Sequence, residues 1–133
     1  MPERADGIHP TAAEMVAEAE ELVENLGPNQ MAVELGGDVV LIDIREEDEN
    51  RTQGWIADSV RAPRGMLEFW ADPTSPYHRA EFDPNRRLIL YCATGERSSL
   101  AAAMLKRMGY RRIAHLKGGL RAWREGGGPV ERS

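Results

Sequence analysis

Residues 88–109 read LILYCATGERSSLAAAMLKRMG and combine three local patterns. The apolar residues at 88–91 predict a buried β-strand, and a short polar turn containing Gly95 follows it. Apolar residues at helical spacing then predict a helix that ends at Gly109. The order strand, loop, helix places Cys92 at the carboxyl end of a strand, where open α/β sheets bind their ligands. The stretch therefore predicts an α/β fold with Cys92 at its ligand-binding edge.

The loop after Cys92 has the chemistry of an anion cradle around a nucleophile. The free N–H groups and the dipole of the following helix favour a negative charge, so a thiol placed there ionises more easily than a free thiol. Arg97 ends the loop with a fixed positive charge that can bind an oxyanion in a bidentate way. The alternative is an inert buried thiol, because free cysteine is often simply a core residue. The context of Cys92 favours the reactive thiol.

Strands and helices alternate along the rest of the chain. Further strands are predicted at 39–44, near Val60 and at 112–116, and further helices at 11–26, 29–35, 64–72 and 120–125. A charged helix or loop is predicted at 45–53, and the Pro-rich residues 73–86 predict a long turn-rich connection. Met66, Leu67, Phe69 and Trp70 are expected in the core. The alternation predicts a parallel sheet that is covered by helices on both faces.

The N-terminal helix begins with a capping box, because Thr11 is followed at the third position by Glu14. Its apolar stripe predicts a helix to about Leu26, where Gly27-Pro28 ends it. The other face of this helix is rich in glutamate, and we interpret that face as simply solvated.

A carboxylate, Asp43, lies inside the apolar strand predicted at 39–44, and a buried carboxylate needs a partner. Arg45, just past the strand, and nearby backbone N–H groups are candidates. An ion pair that braces the loops at the sheet's carboxyl edge is favoured over a catalytic role.

Composition excludes several classes of function. The 133 residues predict one domain, and the net charge of −5 argues against nucleic acid or an anionic membrane as the main partner. Apolar runs are too short to span a membrane, and residues 1–6 lack the layout of a signal peptide, so a cytoplasmic location is expected.

The numbers and positions of cysteine and histidine limit which disulfides, sulfur adducts and metal sites the chain can form. With a single cysteine the chain forms no internal disulfide, and a sulfur adduct on Cys92 must be resolved by an acceptor from outside the chain. The three histidines, His9, His78 and His115, have no metal-ligand spacing with each other or with Cys92. No phosphate-binding glycine loop is present, so neither a metal nor a cofactor is expected.

Four stretches together resemble the rhodanese homology domain in its single-domain bacterial form: LIDIRE at 41–46, APRG at 62–65, LYCATGERS at 90–98 and HLKGGLRAW at 115–123. The resemblance covers about 29–130 and makes 1–28 an N-terminal extension with one amphipathic helix. It implies a parallel five-stranded sheet flanked by helices. It also implies that Cys92 takes a sulfane sulfur from a donor such as thiosulfate, holds it as a persulfide and passes it to cyanide or a thiol. The substrate-binding loop implied by the resemblance consists of Ala93, Thr94, Gly95, Glu96, Arg97 and Ser98.

The sequence departs from the family pattern at the rim of this loop. Ala93 stands where many thiosulfate-using members have a basic residue, and Glu96 lies beside Arg97, so the rim is less positive and thiosulfate is less favoured as the donor. Trp55 stands where the family more often has histidine. We interpret Trp55 as a packing substitution, with a place at the mouth of the site as the alternative.

Loop length separates the related thiolate chemistries. The loop has four residues between Cys92 and Arg97, one fewer than related phosphatase and arsenate reductase sites, which suits one extra sulfur atom better than a tetrahedral oxyanion. A sulfurtransferase is therefore the first hypothesis. A non-catalytic binding or regulatory module is the second, and a thiolate-based arsenate reductase or phosphatase is the third. The expected partners are a small-molecule sulfur donor and an external thiol, with a protein sulfur acceptor or a second copy of the chain as further partners that the sequence allows.

Overall fold

The computed structural model describes residues 7–133. Residues 1–6 lie outside the described residues. They include the beginning of the predicted N-terminal extension and the segment that lacks the layout of a signal peptide. In the part of the chain that is described, no helix combines the length and the apolar character needed to cross a membrane.

The described residues form five strands and six α-helices that alternate along the chain, with one strand, at 24–26, where the sequence predicted helix. The strands are β1 (Glu24–Leu26), β2 (Val39–Asp43), β3 (Val60–Arg61), β4 (Arg87–Tyr91) and β5 (Ile113–Leu116). The helices are α1 (Ala12–Leu22), α2 (Pro28–Glu34), α3 (Glu47–Gln53), α4 (Leu67–Ala71), α5 (Glu96–Arg107) and α6 (Gly119–Glu125), and a 3₁₀ turn, Arg64–Met66, precedes α4.

All five strands pair in parallel in the order β1-β5-β4-β2-β3, which confirms the predicted five-stranded parallel sheet. Alternate residues of β4 point to opposite faces. Leu88 and Leu90 join a core with Ala101 and Leu105 of α5, whereas Ile89 joins the core that contains the buried residues of α2 and α6. Both faces of β4 are therefore buried, as expected for the continuous apolar run in its sequence.

The N-terminal helix is shorter than predicted. The capping box is confirmed, since Thr11 Oγ1 accepts from the Glu14 N–H at 3.2 Å and Glu14 Oε1 accepts from the Thr11 N–H at 2.8 Å. The helix ends at Leu22 rather than near Leu26, however, and residues 24–26 form β1 on the edge of the sheet. Pairing with β5, at the far end of the sequence, wins over local helix propensity here.

The predicted boundary at residue 28 falls after this strand, so the segment before it supplies both α1 and part of the sheet. The division into an extension and a domain stays a prediction.

The expected core position of Phe69 is wrong. Leu67 and Ala71 of α4 are fully buried, whereas Phe69 is exposed and meets Tyr77 edge to face. Residues at positions i and i+4 share a helix face and the residue at i+2 points away from it, so one turn of helix cannot bury all its apolar side chains.

Candidate active site

Cys92 follows β4 directly and is 1 % exposed. Its Sγ accepts hydrogen bonds from the backbone N–H of Gly95 at 3.1 Å and from that of Ser98, in the first turn of α5, at 3.4 Å. Gly95 has a φ of 104°, a left-handed conformation that glycine adopts without steric cost, and it turns the loop into the helix. Two of the predicted N–H donors therefore converge on the sulfur, where they stabilise negative charge.

The first turn of α6 holds the loop from behind. The N–H of Leu120 donates to the carbonyl oxygen of Cys92 at 2.9 Å, and the N–H of Arg121 donates to that of Ala93 at 3.1 Å. Gly119, with φ at 62°, lies so close that a Cβ there would be 2.5 Å from the Cys92 carbonyl oxygen. A side chain at this position would displace the loop, so the pair Gly118-Gly119 at the start of α6 is part of the site's construction.

Arg97 is bound to a carboxylate on another helix. Its Nη1 and Nη2 each donate at 2.8 Å to the two oxygens of Glu49 on α3. This hydrogen-bonded pair lowers the pKa of Glu49 and raises that of Arg97. The structure thus places the predicted anion-binding fork at the loop, but with its bidentate face occupied by Glu49. Closure of Arg97 over a sulfur-bound anion stays a prediction.

The exposed rim of the loop carries negative charge. The Thr94 hydroxyl donates to the Glu96 carboxylate, and this bond is the main reason that the pKa of Glu96 is lowered. Beside the loop, between α3 and α6, lies an open cavity of about 420 Å³. Its lining mixes both signs of charge and includes Arg45, Asp48, Glu49, Thr52, Gln53, Ala93, Thr94, Leu120, Arg121 and Arg124.

Asp43 and Arg45 form the ion pair that the sequence predicts. Arg45 donates from Nε to Asp43 Oδ1 at 3.0 Å and from Nη2 to Oδ2 at 2.8 Å, and both side chains are fully buried. Further bonds from Nη2 reach the side chain of Asn50 and the carbonyl of Gly54, and the Tyr91 hydroxyl donates to Asp43 Oδ2 at 2.9 Å. The pair ties β2, α3 and the end of β4 together, which is a bracing arrangement.

Trp55 is packed away from this cluster. The guanidinium of Arg61 lies 4.8 Å from the centre of its ring, and its backbone exchanges hydrogen bonds with Glu131 in the C-terminal tail. Trp55 is absent from the described residues that line the cavity next to the loop. The structure therefore supports the packing interpretation of Trp55.

Sequence reasoning missed a buried polar chain behind the sulfur. Ser98 Oγ lies 3.6 Å from Cys92 Sγ and 2.9 Å from Nδ1 of His115, and His115 Nε2 lies 2.7 Å from Oδ1 of Asn25. One signal was available, because a histidine inside an apolar strand requires hydrogen-bond partners. The partner itself was hidden, since Asn25 was assigned to the helix.

Comparison with known proteins identifies the family. Residues 18–126 match the model of the rhodanese-like domain. The chain belongs to the rhodanese-like domain family. The resemblance noted in the sequence motifs is thereby confirmed.

Proteins similar to this rhodanese-like chain include two named as sulfurtransferases and one described as a possible phosphatase. A protein of Allochromatium vinosum named sulfurtransferase is 36 % identical over 93 residues, covering 70 % of this chain and 78 % of that protein. The structure of a Rhodopseudomonas palustris protein of unknown function, described as a possible tyrosine phosphatase, is 40 % identical with a TM-score of 0.88 and covers 98 % of this chain and 99 % of that one. Thiosulfate sulfurtransferase from Pseudomonas aeruginosa is 25 % identical with a TM-score of 0.72, covering 91 % of this chain and 22 % of that one.

Proposed function

We propose that this rhodanese-like protein is a sulfurtransferase that takes a sulfane sulfur onto Cys92 as a persulfide and passes it to an external thiol or a cyanide-like acceptor. The observation that carries the proposal is the convergence of the Gly95 and Ser98 N–H groups on the Cys92 sulfur at the start of α5. Donors fixed in this way stabilise the anionic sulfur before and after it receives a second sulfur atom. The relative named sulfurtransferase supports the same chemistry.

The reaction consists of two displacements at sulfur. The Cys92 thiolate attacks the sulfane sulfur, an S–S bond forms at Cys92, and the donor's bond to that sulfur breaks with its electron pair leaving on the donor fragment, which is sulfite when the donor is thiosulfate. An acceptor thiolate then attacks the outer sulfur and Cys92 leaves as a thiolate. Because the chain has one cysteine, the acceptor of the second step is another molecule, either a small thiol or a protein.

The electrostatics of the rim bear on the choice of donor. The carboxylate of Glu96 lies on the loop, and an anionic donor that uses the fork of Arg97 must displace Glu49 from it. Thiosulfate carries two negative charges and meets both obstacles, whereas a low-molecular-weight persulfide places less charge at the rim. We propose that persulfide donors are used more efficiently than thiosulfate.

A phosphatase or arsenate reductase, the third hypothesis from the sequence, becomes the second candidate because the relative described as a possible tyrosine phosphatase favours it. The short loop between Cys92 and Arg97 is an argument against it, because a tetrahedral oxyanion on sulfur needs a wider ring of N–H donors. The occupied fork of Arg97 is a second argument, since phosphate would have to compete with Glu49. The third candidate, a non-catalytic binding module, leaves the aligned donors around Cys92 without a use.

The experiment that tests the proposal is the intact mass of the reduced protein before and after incubation with thiosulfate or with a low-molecular-weight persulfide donor. Wild type is expected to gain the mass of one sulfur atom, and Cys92→Ser is expected to gain none while unfolding at the same temperature. Adding a thiol or cyanide should return the wild-type mass to its starting value. Turnover by Cys92→Ser, or no gain with either donor, would overturn the proposal. Hydrolysis of an aryl phosphate or reduction of arsenate, lost in Cys92→Ser, would favour the second candidate instead.

A further inference from the structure

The polar chain behind Cys92 has a direction that the hydrogen bonds of Asn25 determine. The side-chain amide nitrogen of Asn25 donates to the carbonyl oxygens of Glu20 at 2.8 Å and Val23 at 3.0 Å. Both amide hydrogens are used in these bonds, and exchanging the amide's O and N would set its oxygen against two carbonyls. Oδ1 therefore faces His115, and it can only accept a hydrogen bond.

The orientation of Asn25 selects the tautomer of His115. Since Oδ1 is an acceptor 2.7 Å away, Nε2 of His115 carries the hydrogen. Burial, with the Lys117 charge as the smaller cause, lowers the pKa of His115 to about 4, so the imidazole is neutral near neutral pH. A neutral imidazole has one N–H, and Nδ1 is therefore a bare acceptor that faces Ser98.

The Ser98 hydroxyl then has one arrangement that satisfies its neighbours. Its hydrogen donates to Nδ1 of His115 at 2.9 Å, in preference to the more distant Gly95 carbonyl at 3.2 Å. Its oxygen is left to accept, and the thiol of Cys92 lies 3.6 Å away, within reach of a hydrogen bond that involves sulfur. Every donor in the series from Cys92 to Asn25 thus points away from the sulfur.

We propose that Ser98 and His115 form a buried proton relay that receives the thiol proton of Cys92. The proposal rests on the nucleophilic role of Cys92 in the proposed function. The S–H bond of Cys92 breaks and its proton passes to Ser98 Oγ, while the Ser98 proton passes to Nδ1 of His115. The resulting Cys92 thiolate then attacks the sulfane sulfur. The serine ends as a neutral hydroxyl that donates to the anionic sulfur, and the imidazolium is held by Asn25. When Cys92 leaves the persulfide in the second displacement, the same path returns the proton.

Ser98 touches the reacting sulfur and is a catalytic residue in this scheme, whereas His115 and Asn25 act through it as positioning residues. Ionisation of Cys92 itself strengthens the base, because an anion close to a buried imidazole favours the charged imidazolium. Other charges surround the site on several elements. They are Lys117 after β5, Glu96 and Arg97 on α5, Asp48 and Glu49 on α3, Arg121 and Arg124 on α6, and the Asp43–Arg45 pair at the end of β2. Glu24 beside Asn25 on β1 is paired with Arg87.

The test is the rate at which a small alkylating agent modifies Cys92, followed by intact mass over a range of pH. Because Cys92 is the only cysteine, the mass reports this site alone. We expect Ser98→Ala and His115→Gln each to move the midpoint of the pH–rate curve up by about one unit, as the loss of a close charge or hydrogen-bond partner does, with a matching fall of about tenfold in rate at neutral pH. The double variant should be no slower than either single variant, since both break the same relay.

Matched controls separate the relay from packing. Ser99, the neighbouring buried serine, donates to the carbonyl of Glu96 and does not contact the sulfur, so Ser99→Ala is expected to keep the wild-type curve. His78→Gln, at an exposed histidine, is the matching control for His115→Gln. Asn25→Asp gives Nε2 a charged acceptor but loses the two amide bonds to the carbonyls of Glu20 and Val23, so the variant is less stable. In the folded variant the midpoint is expected to move down. A structural role for His115 alone would not produce shifts in both directions.

Two results would overturn the relay: wild-type curves for folded Ser98→Ala and His115→Gln, or a nitrogen NMR spectrum that shows the hydrogen of His115 on Nδ1. The ultraviolet absorbance of the thiolate against pH gives the same comparison of variants without requiring reagent access. Neither readout involves sulfur transfer, so a failed relay and a failed sulfurtransferase proposal remain distinguishable.

Discussion

Arg97 and Glu49 join α5 to α3 through two parallel N–H···O bonds of 2.8 Å each. The fork that would bind an anion at the loop of Cys92 is therefore already filled by a carboxylate of the same chain. Charge-assisted bidentate pairs are strong. An anionic ligand that binds Arg97 must replace Glu49, so its net gain in binding free energy is the difference between the two contacts. We therefore propose that Glu49 helps to determine which donor the protein uses.

Glu49→Gln should improve the use of an anionic donor. Removing the carboxylate's charge frees the guanidinium, and we expect the KM for thiosulfate to fall by about three- to tenfold, the effect of one weakened charge-assisted contact. Steady-state sulfur transfer to cyanide provides the measurement. Glu47→Gln makes the same charge change at an exposed position of the same helix and should leave KM unchanged, and Arg97→Ala should raise it. If Glu49→Gln raised KM as well, the carboxylate would be orienting Arg97 rather than competing with the donor.

The buried pair Asp43–Arg45 predicts a strongly unequal response to single and double substitution. Arg45→Met leaves the Asp43 carboxylate buried without its counter-ion, which should lower the free energy of unfolding by about 3–5 kcal/mol. The double variant Asp43→Leu/Arg45→Met removes both charges and should be more stable than Arg45→Met alone. Urea unfolding measures both. Arg51→Met breaks an exposed ion pair with Asp48 on α3 and should change little. Equal losses for Arg45→Met and Arg51→Met would contradict a structural role for the buried pair.

Gly119→Ala tests the contact between α6 and the loop. Its Cβ would lie 2.5 Å from the Cys92 carbonyl oxygen, so we expect a loss of persulfide formation together with a lower melting temperature. Gly127→Ala is the matched control, because Gly127 also has a positive φ, 87°, but its Cβ would meet nothing within 4 Å. It should show only the cost of the left-handed backbone, about 1 kcal/mol, and full activity. Full activity in Gly119→Ala would show that the loop tolerates displacement.

The stability of the fold should depend on pH through His115. The pKa of about 4 in the folded state lies below the value of about 6.5 in an unfolded chain, so the unfolded state binds more protons between these values. As far as His115 is concerned, the free energy of unfolding has its full value above pH about 6.5. It falls by about 3 kcal/mol in total as the pH is lowered towards 4. The carboxylates with lowered pKa values, Glu34, Glu49, Asp72 and Glu96, add to the loss only below their ordinary range.

Unfolding free energies measured with urea from pH 7 to 4.5 test this dependence. His115→Gln should flatten the curve in that range whatever its absolute stability, and His78→Gln should keep the wild-type slope. An unchanged slope in His115→Gln would assign the acid sensitivity to another group.

The parts of the molecule that sequence predicts are those with a local signal. The strand before Cys92, the loop at Gly95 and the helix to Arg107 each have their own pattern of residues, and their order alone places the thiol at the carboxyl edge of the sheet. The pairing of Asp43 with Arg45 could also be predicted from sequence, because residues only two positions apart are close enough for their side chains to meet.

The parts that escaped prediction depend on contacts between distant segments. Residues 24–26 continue an apolar pattern that fits a helix, and only pairing with β5 makes them a strand. Asn25 and His115 are 90 residues apart, and Glu49 and Arg97 are 48 apart, so neither pair could be found from spacing. Residue types along the loop indicate which atoms can react, whereas the partners that tune them come from the tertiary fold.

The length of the two outermost strands affects how the molecule behaves in concentrated solution. Edge strands expose unpaired N–H and C=O groups that can accept a strand from another chain, and short edges limit such addition. Here β1 has three residues and β3 has two, while the longer β2 and β4 are covered on both sides by neighbours. Aggregation by strand addition is therefore disfavoured, and a substitution that lengthened β1 along β5 would weaken this protection.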